Sequence, residues 1–169
     1  MKYILICMTL LTATGEWASA QNEIEKEVNS LSGINQFYAV VNIEASPNII
    51  DSSEVNVVNI QEAVSDHLRS SGLKVLSNKE SVNRQNYPYL HIHINAMENA
   101  TGYIPFSVEA DFFQPVKLTL NRDKEMMAST WENSLVAIIS PDRFDLLRKS
   151  ALSVTKDFVR DYKYVNNMN

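Results

Sequence analysis

The sequence predicts an α+β fold: an antiparallel-rich sheet of four to six strands with two main helices packed on one face. Three observations carry that reading. The stretch Tyr89 to Phe113 forms two alternating strands around a tight turn. Two segments, Val55 to Ser70 and the run after Ser140, repeat apolar residues at spacings of three and four. Glycines are few and scattered, which disfavours the glycine-built turns of nucleotide-binding α/β folds.

In the hairpin, Leu90, Ile92, Ile94 and Ala96 alternate with Tyr89, His91, His93 and Asn95. In the returning strand Phe106, Val108, Ala110 and Phe112 alternate with Ser107, Glu109, Asp111 and Phe113. Strand side chains point to opposite faces in turn, so each strand has one apolar and one largely polar face. A three-residue loop wants a left-handed residue last, and Gly102 closes Ala100-Thr101-Gly102 in that place. That loop sets Asn99 opposite Tyr103. Stepping back by pairs, His93 faces Glu109, His91 faces Asp111 and Tyr89 faces Phe113. A slip of one residue would exchange the two faces, so the pattern itself specifies the register.

The remaining elements follow in order. Residues 1–20 have the form of a secretory signal peptide: Lys2, an apolar run from Tyr3 to Leu11 too short to span a bilayer, and the small-residue site Ala18-Ser19-Ala20. Cleavage there would start the mature chain at Gln21 and remove Cys7, the one cysteine. The mature protein would then have no disulfide and no cysteine nucleophile. Residues 21–34 form an arm or a short helix, with Ile24, Val28 and Leu31 at helical spacing. Residues 35–165 form one domain, and 166–169 a tail. A chain of about 150 residues buries roughly 70% of its unfolded surface, enough for a core without crosslinks.

Within the domain, Gln36 to Ala45 alternates as a strand with Phe37, Ala39, Val41 and Ile43 on one face. The Val55–Ser70 helix has Ser52 or Ser53 as its cap and Gly72 as its stop. Its His67 falls on the polar side and is assigned to the surface. Leu73 to Leu76 is a short strand. Pro115 cannot donate to a ladder, so an edge, a bend or a bulge is expected there. Glu125 to Glu132 is another strand, with Trp131 in the core. Leu135 to Ile139 is apolar and has no clear period. Ser140-Pro141-Asp142 has the form of a helix start, followed by the stripe Phe144, Leu147, Ala151, Val154, Phe158 and Tyr162.

Chemistry is sparse. The formal charge of −5, unchanged by loss of Lys2 and Glu16, opposes nucleic-acid binding. After signal cleavage Gly33, Gly72 and Gly102 remain, each spent on a turn, so none builds a phosphate cradle. There is no G-x-S-x-G elbow. No catalytic residue or cofactor site is assigned. The sharpest feature is His91 and His93, two imidazoles about 7 Å apart on one strand face. With Asp111 and Glu109 opposite, they suit a divalent metal such as zinc. They equally suit a solvated strand face stabilised by opposite-charge pairs. Tyr89 and Phe113 on the same face form either the floor of a binding groove or a patch covered by a helix.

The order of strand, helix ending Leu68-Arg69-Ser70-Ser71-Gly72-Leu73-Lys74-Val75, antiparallel strands and C-terminal helix resembles two groups of bacterial envelope proteins. These are the LptE-like lipopolysaccharide-assembly proteins, and the amino-terminal module of TolB with the related domain of CsgG-type secretion proteins. The signal-like start, the size and the missing catalytic signatures point to a non-catalytic periplasmic or secreted protein that binds a protein or small ligand in the cell envelope, with no transmembrane segment after cleavage. The alternative is a metal-binding protein or metal-dependent enzyme built on His91, His93, Asp111 and Glu109.

Overall fold

The computed structural model describes residues 24–50, 55–77 and 87–168. The signal-peptide stretch, the arm up to residue 23, the loops through 51–54 and 78–86, and Asn169 lie outside the described residues, so the caps assigned to Ser52 or Ser53 do as well.

Four strands form one mixed sheet in the order β1 (Tyr38–Ala45), β2 (Tyr89–Ala96), β3 (Ile104–Lys117) and β4 (Glu125–Ile139). β1 and β2 run parallel, and the other pairs are antiparallel. Two main helices, α3 (Val57–Ser70) and α4 (Asp145–Val165), pack on the sheet. Two short ones, α1 (residues 24–30) and α2 (Pro47–Ile50), flank it.

The hairpin has the register its sequence dictates: Tyr89 pairs with Phe113, His91 with Asp111, and His93 with Glu109. Gly102 takes φ +80°, and the Asn99 N–H donates to Tyr103 O at 2.9 Å. The apolar faces of all four strands meet α3 and α4. Phe158 of α4 sits among Phe37, Phe112 and Trp131, with ring centroids 5.5, 5.3 and 5.1 Å away. Both main helices therefore lie on the Leu90/Phe112 side, leaving the Tyr89/Phe113 side without a helix among the described residues.

Several boundaries differ from expectation. The cap of α3 is Asn56, whose Oδ1 accepts from the Val58 and Asn59 N–H groups. Ser140-Pro141-Asp142 forms a turn: Arg143 N–H donates to Ser140 O at 3.0 Å, and the Ser140 hydroxyl bonds the Asp142 carboxylate. α4 begins only at Asp145, which holds Lys149 one turn on at 2.7 Å. Serine, proline and aspartate favour a turn as strongly as a helix start. The apolar stripe is as expected, with Leu147, Ala151, Val154, Phe158 and Tyr162 buried.

Leu73 to Leu76 is not a strand but a single bridge from Val75 to Phe37. It stops there because the side chain of Gln61 occupies the next stretch of the β1 edge. Gln61 Oε1 accepts from Val41 N–H at 2.8 Å, and its Nε2 donates to Ala39 O at 3.0 Å. β4 runs unbroken to Ile139 and so absorbs the apolar run from Leu135. It carries a bulge: Phe112 pairs with Trp131 but Phe113 with Ser129, so Thr130 is the extra residue. Thr130 O accepts from the Ser30 hydroxyl at 2.9 Å, fastening α1 to the sheet. Pro115 lies beyond the end of β2 and pairs only with Met127, which removes any demand for its missing N–H on the other side.

Candidate functional site

The candidate residues share the open face of the sheet. Alternation along β1, β2, β3 and β4 stacks them in rows: Tyr38–Tyr89–Phe113–Ser129, then Val40–His91–Asp111–Glu132, then Asn42–His93–Glu109–Ser134. All six residues singled out from the sequence therefore lie on one surface, within two adjacent strands.

Tyr89 and Phe113 stack nearly parallel, centroids 4.9 Å apart at 13°. His91 leans on Phe113 at 6.5 Å and stacks on His93 at 5.9 Å. Tyr38 continues the aromatic row and is itself capped edge-on by Tyr87 at 6.0 Å. Tyr89, His91, His93 and Phe113 are all half-buried, although neither main helix covers them. Their mutual stacking hides much of their surface and leaves a continuous aromatic and imidazole platform.

The histidines stand opposite Asp111 and Glu109 as the register implies, but neither forms an ion pair with its cross-strand neighbour. The ion-pair contact of His93 is with Glu44 of β1, Nε2 to Oε1 at 3.8 Å. That contact crosses a parallel strand pair separated by some fifty residues, and no local signal announces it. Among the described residues no group of three or more His, Cys, Asp or Glu is placed to hold a metal ion. His67 differs from its surface assignment: it is half-buried, and its Nε2 has neither solvent nor a hydrogen-bond partner. Burial and the nearby Lys156 ammonium both push its pKa down.

Glu132 is the residue that sequence reasoning missed. The bulge at Thr130 places it beside Asp111, and Asp111 also takes a hydrogen bond from the Ser129 hydroxyl at 3.4 Å. Burial, then the Glu132 charge, raises the Asp111 pKa above the ordinary carboxyl value, against the pull of His91. Burial, then His93, lowers the His91 pKa, with Asp111 and Glu109 opposing. A cleft of about 420 Å³ opens beside these groups, lined by Glu27, Glu109, Asp111, Glu132, Asn133 and Ser134.

No known family and no curated protein matches this chain. Among the described residues no helix is long and apolar enough to cross a membrane.

The shifted carboxyl gives a signed prediction. A carboxyl whose folded pKa lies above its unfolded value penalises the native state once ionised. The penalty is complete above the folded pKa of Asp111 and vanishes below the unfolded one, near 3.8. Asp111→Asn is therefore expected to raise the melting temperature at pH 7 and to have no such effect at pH 3.5. Paired thermal melts of the two proteins across that range check it; an equal gain at both ends would show that charge is not the cause.

Proposed function

We propose that the protein is a non-catalytic periplasmic or secreted binding protein of the cell envelope, using the open sheet face around Tyr89 and Phe113. The observation that carries this reading is the aromatic platform, which neither main helix covers among the described residues. Stacked Tyr89 and Phe113, extended by His91, offer flat apolar area with polar edges. Such rings supply binding area at low entropic cost, because only two torsions need fixing. The signal-like first twenty residues and the likeness to envelope accessory domains support the location. The occupant is a protein segment or a small ligand with a flat apolar surface.

The test is site-specific photo-crosslinking in the native cells. A photoreactive residue at position 89 or 113 is expected to give one discrete adduct. The same group at Ser153, exposed on α4, is expected to give none. Identical adduct patterns at all three positions would refute the assignment of the face. A reproducible turnover by the purified protein would refute the non-catalytic part.

A further inference from the structure

The two edges of the sheet are treated differently. On β1 the outer edge is closed from within as far as Val41. Phe37 N–H donates to Lys74 O at 3.3 Å, Leu76 N–H to Phe37 O at 2.9 Å, and Gln61 bonds both Val41 N–H and Ala39 O. A side-chain amide and a three-residue bridge thus stand in for a neighbouring strand. On β4 the corresponding contacts stop at the bulge, where Ser30 reaches Thr130 O and Ser129 reaches Trp131 O. From Glu132 to Ile139, among the described residues, no side chain or loop from outside the sheet bonds the backbone of β4.

Past Glu132 and the bulge at Thr130, that free stretch carries no lysine, proline or further charge to guard an exposed edge. β4 is 15 residues long, and its last five are Leu135-Val136-Ala137-Ile138-Ile139. Val136 is 79% exposed and Ile138 66%. Leu135 and Ala137 point to the core side, yet the helices only half cover them. Both faces of the strand therefore offer apolar contact next to an unpaired backbone.

The other end of the stretch is acidic. Glu132 stands beside Asp111, with Glu109 next along the same face, and Glu27 joins them in lining the cleft. Among the described residues, Glu109, Asp111 and Glu132 form no ion pair with any Lys or Arg. A second copy of this chain adding antiparallel over the same stretch would set Ile139 opposite Glu132 and would bring no cation to it, because Glu132 is the only charge between Met126 and Ile139. Opposite charges facing each other across strands stabilise a pair, so a segment with a cation beside Glu132 fits this edge better than a second copy does.

We infer that the β4 edge from Glu132 to Ile139 is a docking site for an extended segment of a partner protein, which adds as a fifth strand. That segment carries a lysine or arginine beside Glu132 and apolar residues beside Val136 and Ile138. Main-chain hydrogen bonds supply the affinity of such strand addition, and side chains at every second position supply the selectivity. This inference does not rest on the aromatic platform; crosslinking at Tyr89 reports on one surface and strand addition on the other.

The test uses the full chain and fluorescently labelled capped octapeptides. The parent peptide has lysine first, valine fifth, isoleucine seventh and threonine elsewhere; a reversed-order twin covers the opposite strand direction. One of the two is expected to bind. Replacing its lysine with glutamate is expected to weaken binding at least tenfold. Glu132→Lys is expected to reverse that preference, its fold being checked by circular dichroism. Two further peptides carry backbone N-methyl groups at either the odd or the even positions. A strand adds through one edge only, so one methylation pattern should abolish binding and the other should spare it. The proposal falls if neither direction binds, if lysine and glutamate peptides bind alike, or if both methylation patterns bind like the parent. It falls equally if the chain forms a dimer that Val136→Lys dissolves, because the edge is then held by a second copy.

Discussion

Phe37→Ala is expected to lower the unfolding free energy by about 3–5 kcal/mol, the usual range for truncating a fully buried phenylalanine. Phe37 is wholly buried and sits where β1, β3 and α4 meet. Its ring meets Phe112 edge-on at 5.5 Å, Phe158 at 5.5 Å and Tyr162 at 5.9 Å. Those three partners come from a strand and a helix already fixed by other contacts, so they cannot collapse to fill the space. Domains of this kind are stable by about 5–15 kcal/mol in all. The variant should therefore lose a large share of the total stability. Urea denaturation reads the effect as a lower midpoint with an unchanged slope. A loss below about 1 kcal/mol would mean that this junction is far looser than its ring contacts imply.

The second large effect is expected at Gln61, through hydrogen bonding rather than volume. Gln61→Leu keeps the size of the side chain but removes both partners of the β1 edge. Val41 and Ala39 are buried, so a freed N–H and C=O there cost about 1–3 kcal/mol. Ser65 loses a partner too, since its hydroxyl lies 3.0 Å from Gln61 Nε2. Gln61→Glu separates donor from acceptor. Ionised, the carboxylate still accepts from Val41 N–H but meets Ala39 O with a second acceptor. Protonated, it can donate again. Relative to wild type at the same pH, the glutamate variant is expected to be destabilised at pH 7 and to recover as pH falls through its raised folded pKa, with recovery complete below about pH 4.3. The leucine variant should show no such recovery.

The sequence was informative where local pattern and global fold agree. The hairpin is legible because Gly102 fixes a loop and strict alternation fixes the faces. The long α4 stripe is legible because six apolar residues keep one period. Legibility fails where a local signal serves two structures or where its phase is interrupted. Ser140-Pro141-Asp142 suits a turn and a helix start alike. In β4 the outward residues are Glu125, Met127 and Ser129 before the bulge, but Glu132, Ser134 and Val136 after it. One extra residue reverses the parity, so no single alternation spans the strand. Beyond it, Leu135 to Ile139 is apolar on both faces, which erases the period altogether. The candidate surface was half legible for a related reason. Its hairpin residues were in hand, but Glu44 and Glu132 arrive from other strands, by pairings that no nearby residue encodes.

The end of α4 clasps the entry to β1. Tyr162 bonds Ile34 O through its hydroxyl, while Asn166 donates to Leu31 O at 3.0 Å and accepts from Gly33 N–H at 2.9 Å. Those contacts join residues more than 125 positions apart. A chain emerging from the ribosome can form the central hairpin early, from neighbouring segments alone. It cannot seat Phe37 or close this clasp until α4 has been made. Long-range closure of this kind slows folding. The nascent protein therefore stays open and threadable through most of its synthesis, and the ring of Phe158 completes the core late.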